Sequence, residues 1–205
     1  MIFNIHTGEP ENSAHMETNK YDCTCLKISP DNNFVASAST DGSVKVMDFK
    51  TGAYRLWLIH SSPVYEAVFT PNSMKLLTAG FKKIFTWSTI DGSFLGTLEF
   101  HTARINELHF AMHGRFLVSC SEDKDIVIWD FAKRTHVTYF RTHCPQQFVA
   151  LTPDLNTLLF SPKHISYIGV LKPNPTLREM LGPTLAEEPE AEMVQLDQHY
   201  DSDSW

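Results

Sequence analysis

The chain has 205 residues, 42% of them apolar and 12% aromatic, enough for one good-sized core or two small ones and too apolar for wholesale disorder. Its net charge of −7 gathers at one end: from Leu171 onward eight acidic residues face only Lys172 and Arg178, while residues 1–170 set 15 basic against 16 acidic ones. A nucleic-acid partner needs a basic patch and is not expected; with no uncharged apolar run of about 18 residues and no basic-then-apolar leader, the expectation is a soluble protein of the cytoplasm, or alternatively the nucleus, without membrane insertion.

In chain order, the opening "MIFNIHTGEP" aligns with the later "VMDFKTGAY" and puts Phe3 in the column of Met47. Residues 1–18 therefore read as the last two strands of a unit whose first two are absent. The segments "CLKISPDNNFVASAS", "AVFTPNSMKLLTAG", "ELHFAMHGRFLVSCS" and "VALTPDLNTLLFS" follow, each an apolar run, a Pro, Asp, Asn or Gly turn and a second apolar run, the pattern of a β-hairpin. They repeat with one period: Ile28, Phe69, Phe110 and Leu151 stand 41 residues apart, as do Val35, Leu76, Leu117 and Leu158.

Third strands are predicted over "SVKVMDF", "KIFTWST", "DIVIWDF" and "HISYIGV", and weaker fourth strands over "GAYRLWLIH" and "GSFLGTLEF". This divides the chain into full four-stranded units at 19–58, 59–99 and 100–141, a partial one at 142–170, and a Pro-rich, then acidic tail at 171–205 that is expected to be largely disordered. Within the first unit, strand alternation predicts Cys23 and Cys25 on one face as a reduced, buried pair.

The densest chemistry lies in "SCSEDKDIVIWDFAKR", where Glu122, Asp123, Asp125 and Asp130 surround an apolar strand. A metal or an acid–base pair requires these carboxylates to converge on one point. Set against its sister segments, the stretch places Glu122 in an exposed turn, Asp123 back toward its own unit and Asp130 at the strand end, so they diverge. No phosphate loop, "GxSxG" or "HExxH" occurs, and neither catalysis, a cofactor nor a metal is expected.

Over residues 1–170 these units resemble the WD-repeat family of β-propellers. The resemblance implies an all-β fold, a partial β-propeller of four-stranded WD-type blades, open or completed by a partner, with a disordered acidic C-terminal tail. Blades of the family commonly carry a buried hydrogen-bonded tetrad, which falls here on His101, Ser119, Asp123 and Trp129. The first full unit keeps Ser37 and Asp41 but has Met47 in the Trp column, with His15 a distant candidate for the His. The second keeps His60, Thr78 and Trp87 but has Phe81-Lys82-Lys83 in place of the Asp turn. The fourth has His143, then Phe160 and Ile168 in the Ser and Trp columns.

The resemblance further implies a non-catalytic scaffold for protein–protein interaction, binding other proteins through propeller loops and blade edges. Phe81, Lys82 and Lys83 are the candidate partner-binding residues. Propellers of the family usually close with about seven blades, which leaves three expectations open. The chain is a fragment or isoform of a longer protein, without an autonomous fold and acting by competition with it; or its arc is completed by a partner or second copy; or it closes as a small propeller.

Overall fold

The computed structural model describes residues 2–3, 7, 10–11, 21–152, 156–164 and 167–172. The expectations for His15 and for the tail beyond residue 172 lie outside them. A short hairpin, β1 (Ile2–Phe3) with β2 (Pro10–Glu11), comes first. The first four-stranded sheet is β3 (Cys23–Ile28), β4 (Phe34–Ser39), β5 (Ser43–Asp48) and β6 (Tyr54–Ile59). The second is β7 (Glu66–Phe69), β8 (Lys75–Ala79), β9 (Lys83–Ser88) and β10 (Phe94–Glu99). The third is β11 (Ile105–Ala111), β12 (Phe116–Ser121), β13 (Asp125–Asp130) and β14 (Thr135–Arg141). A three-stranded sheet of β15 (Gln146–Leu151), β16 (Leu158–Pro162) and β17 (Gly169–Leu171) is the fourth.

Every sheet is an antiparallel meander whose strands pair in chain order, the architecture of WD-type blades in a partial propeller. The pairing register repeats with the sequence. Met47 faces Tyr54, Trp87 faces Phe94 and Trp129 faces His136, each seven residues on, and Phe3 faces Pro10 in the same register. The turn between first and second strands also recurs: Ser29, Thr70 and Thr152 donate their backbone N–H to the carbonyls of Phe34, Lys75 and Thr157, each at 2.9 Å.

The sheets stack face to face in order. One apolar cluster, with Ala36, Val46, Ala67 and Phe69, joins the first to the second; another, with Leu77, Leu108 and Trp129, joins the second to the third; a last, with Val118, Ile128, Val149 and Leu151, joins the third to the fourth. This explains why β12 and β13 are buried along their whole length: a sheet covered on both sides needs apolar residues on both.

Two expectations are corrected. Cys23 is exposed and Cys25 buried, so they do not form a buried pair. A β-bulge between them puts one extra residue, Thr24, into the strand and breaks the alternation. The same bulge recurs at Asn106 in β11 and Gln147 in β15. Thr24 and Asn106 use it to reach across to the next sheet, donating to the carbonyls of Val64 and Gln146 at 2.7 Å. In the fourth sheet the third strand starts at Gly169, later than "HISYIGV" implies. Leu158 pairs with Leu171 as Leu117 pairs with Trp129, so Leu171 occupies the Trp column and Ile168 lies exposed before the strand. Both residues are apolar, and backbone pairing chooses Leu171.

Candidate functional site

The third sheet joins four side chains from separate elements. His101 precedes β11, Ser119 lies on β12, Asp123 in the following turn and Trp129 on β13. The Trp129 indole N–H donates to Ser119 Oγ at 2.9 Å, Ser119 Oγ lies 2.8 Å from His101 Nε2, and His101 Nδ1 lies 2.9 Å from Asp123 Oδ2. The carboxylate only accepts, so Nδ1 carries the imidazole proton and Nε2 accepts from the Ser119 hydroxyl. Asp123 also accepts the backbone N–H of Thr102 and of Asp125, at 2.8 and 2.9 Å. Burial pushes its pKa up, but His101 and these donors outweigh burial and hold it at about 2.

The second sheet holds the same chain one member short. Trp87 Nε1–H donates to Thr78 Oγ1 at 2.9 Å, and Thr78 Oγ1 lies 3.2 Å from His60 Nε2. No carboxylate follows, and His60 Nδ1 is buried without a hydrogen-bond partner. The edges of Phe85 and Trp87 crowd the imidazole at 4.8 and 5.3 Å, and burial pushes its pKa down to about 4. In the first sheet Met47 fills the Trp column with an apolar side chain that is also buried.

The crowded acids of the third sheet each answer to a different cation or backbone donor. Glu122 pairs with Lys163 at 2.7 Å, Asp125 takes the Arg141 fork at 2.8 and 2.6 Å, and Asp130 accepts the Lys133 N–H at 3.0 Å. Among the described residues no cluster of His, Cys, Asp and Glu is arranged to hold a metal. Nor is either buried thiol activated: burial first, then Glu66, pushes Cys25 up to about 12, and burial pushes Cys120 up as well. A groove of about 470 Å³ between the third and fourth sheets, near Phe110, Met112 and Leu159, presents mostly apolar walls.

These contacts separate architecture from surface. Asp123→Ala removes a carboxylate that is nearly buried and accepts three donors, so it is expected to cost about 2 to 3 kcal/mol. Glu122→Gln loses only a partly exposed ion pair and is expected to cost under about 1 kcal/mol. Urea unfolding of both variants at pH 7 checks the contrast, and equal losses would refute it.

On the edge that carries the turns between second and third strands, Phe81 is 47% exposed and Lys82 Nζ lies 5.8 Å from its ring centre. Lys83 is not part of that group: it opens β9 and pairs with Glu99 of β10 at 2.6 Å. The same edge holds a contact missed in the sequence, the Arg104 guanidinium stacked 3.9 Å over the Tyr65 ring, with its Nε buried and unpartnered. Tyr65 and Arg104 sit just before β7 and β11; Tyr65 N–H donates to the Ala79 carbonyl and Glu122 N–H to the Arg104 carbonyl, each at 2.9 Å, which fixes both to this edge. The residue types were the available signal, since Arg and Tyr commonly anchor interfaces.

Beneath the edge, a line of ionisable groups runs along the first strands. Lys27 Nζ lies 2.9 Å from Glu66 Oε1 across the first joint, and Glu107 stands one repeat beyond Glu66. Burial, then the Glu66 charge, pushes the Glu107 carboxyl up to about 7.

The family model described as "WD domain, G-beta repeat" matches residues 8–48 and 92–130. Each match runs from the outer strand of one sheet, β2 or β10, through the first three strands of the next. The chain is 32% identical over 115 residues to periodic tryptophan protein 2 of Arabidopsis thaliana, covering 55% of this chain and 13% of that protein. It is 23% identical over 175 residues to protein HIR1 of Eremothecium gossypii, covering 75% and 21%. To the target of rapamycin complex subunit LST8 of Saccharomyces cerevisiae it is 25% identical over 151 residues, covering 69% and 50%. The chain thus spans half or less of the length of these relatives.

Proposed function

Since the chain carries WD repeats, we propose that it is a scaffold for protein–protein interaction that binds its partners through the turn edge of its sheets and through blade faces that a partner completes. Proteins of this family generally serve as non-catalytic scaffolds, and no catalytic residue, cofactor or nucleic-acid partner is assigned to this one. The observation that carries the reading is Arg104: its half-buried guanidinium lies 3.9 Å over the Tyr65 ring, beside the edge that exposes Phe81 and Lys82. An Arg supported on a ring gains more from a partner's acceptor at its terminal guanidinium nitrogens than a free surface lysine does, because its ordering cost is already met by the stack. The proposed partner is therefore a protein segment that brings a carboxylate or carbonyl to Arg104 and an apolar side chain to Phe81.

The test is affinity capture from cell extract with the wild-type chain, Arg104→Ala, and Phe81→Ala combined with Lys82→Glu. Recovery of specific proteins is expected to drop by about tenfold or more in both variants, as for residues at the centre of an interface. Undiminished recovery in both sinks the reading. The cytoplasm is the proposed compartment, with the nucleus as alternative, and imaging of a fluorescent fusion decides between them.

A further inference from the structure

Charge is unevenly matched along the edge that carries Phe81 and Arg104. On the first sheet this edge holds Asp22, just before β3, and Asp41, in the turn after β4. On the third sheet every acid of the edge is taken: Glu122 pairs with Lys163 at 2.7 Å, Asp123 lies 2.9 Å from His101, and Asp125 holds Arg141 at 2.6 Å. Lys82 and Lys124, both exposed in the turns after β8 and β12, have no carboxylate partner among the described residues, and neither has Arg104 between them. Beneath them Glu66 is taken by Lys27 at 2.9 Å, and the Glu107 carboxyl, raised to about 7, is only half ionised at neutral pH. Three cations thus stand without counter-charge beside Phe81, which is 47% exposed.

The same chain carries a segment of matching chemistry. Residues 187–196, "EEPEAEMVQL", lie outside the described residues and set Glu187, Glu188, Glu190 and Glu192 directly before Met193, Val194 and Leu196. We infer that this segment lies across the edge of its own chain, its glutamates on Lys82, Arg104 and Lys124 and its apolar residues on Phe81, and masks the edge until a partner displaces it. The inference rests on the reading of this edge as a docking surface and names what regulates it. Reach permits the contact: Glu187 follows Lys172 by 15 residues, which span up to about 50 Å. The path from the end of β17 back along one strand and over two sheets is about 40 Å, at about 3.3 Å per residue and about 10 Å between sheets. Exposed ion pairs are individually weak. A tether, however, raises the local concentration of the segment to about the millimolar range, so contacts too weak to hold a separate peptide suffice within one chain.

Zero-length carbodiimide coupling of the full chain at high dilution tests it, since the reagent joins a carboxyl to a lysine amine only where the two touch. Peptide mapping of the single-chain product is expected to show Glu187, Glu188, Glu190 or Glu192 joined to Lys82 or Lys124, and not to Lys50 or Lys133 on the opposite edge. Arg104→Ala keeps every amine and is expected to cut the yield of these links by about threefold or more. An even spread over the lysines, links between two chains in place of links within one, or a yield unchanged by Arg104→Ala in a chain that keeps the wild-type circular dichroism overturns the inference. The masking is read from the other side with Glu187→Gln, Glu188→Gln, Glu190→Gln and Glu192→Gln combined, which alters nothing within the described sheets. Recovery of captured proteins by this variant is expected to rise about threefold or more over the wild type, and unchanged recovery overturns the inference as well. Links in place while no form of the chain captures a protein would sink the scaffold reading and leave the tail contact standing; capture through Arg104 without the links would do the reverse.

Discussion

Trp129→Ala is expected to lower the folding free energy by about 3 to 5 kcal/mol, the range for large core aromatics. The side chain is 1% exposed and lies in the joint between the second and third sheets, with Leu77, Leu108 and Leu117 in its cluster. Truncation opens a cavity there, and strands on both sides of it cannot close in, because each is held by ladders of its own. It also removes the indole N–H from Ser119 Oγ, at the head of a chain that continues to His101 and Asp123. Trp129→Phe separates the two contributions: it keeps most of the packing and is expected to lose about 1 to 2 kcal/mol. Trp57, 68% exposed on the outer strand of the first sheet, provides the control, and its change to Ala is expected to stay within about 1 kcal/mol. Comparable losses at Trp57 and Trp129 in urea melts would remove the tetrad from the structural account of this fold.

The 41-residue period was legible because each sheet must present apolar residues to both neighbours at fixed places, so the columns of Val35 and Ile28 recur wherever a joint recurs. The registers recur with that period, but a pairing such as Trp129 against His136 came only with the structure. The bulges at Thr24, Asn106 and Gln147 were not legible, since an extra residue in a strand leaves no mark in an alternating pattern until the partner strand is in place. For the same reason Cys23 and Cys25 part company, and Leu171 displaces Ile168. The stack of Arg104 on Tyr65 joins residues 39 apart through the apposition of two sheets, a distance no local spacing encodes. Lys83 looked like a companion of Lys82 because adjacent residues in a turn share a surface; in a strand the next residue belongs to the ladder, and Glu99 claims it.

The incomplete chain in the second sheet leads to a pH dependence of similar size. His60 titrates near 4 in the folded protein against about 6.5 unfolded. A histidine with a depressed folded pKa supplies its stability above the unfolded value and loses it as pH falls toward the folded one. Between pH 6.5 and 4 the unfolded chain therefore takes up a proton that the fold refuses, at a cost on the order of 3 kcal/mol. The refusal has a visible source, since a proton added at Thr78's partner nitrogen would create a cation whose Nδ1–H has no acceptor and whose neighbours are the rings of Phe85 and Trp87. Glu107 works in the opposite sense in nearly the same window. Its carboxyl, raised to about 7, stays protonated in the fold while the unfolded chain ionises, so its contribution is present below about 4.5 and is lost as pH rises through 7. Measured alone, the wild type shows the difference of the two and a flattened profile. His60→Gln removes one arm and is expected to gain stability steadily on acidification from pH 6.5 to 4.5 relative to the wild type, whereas Glu107→Gln exposes the other and is expected to fall. Parallel profiles for all three proteins in urea unfolding across this range would show that neither group is held as its surroundings require, while opposed slopes would trace the acid response of the fold to Glu107 on β11 and to His60, at the tetrad position where Phe81-Lys82-Lys83 replaces an aspartate turn.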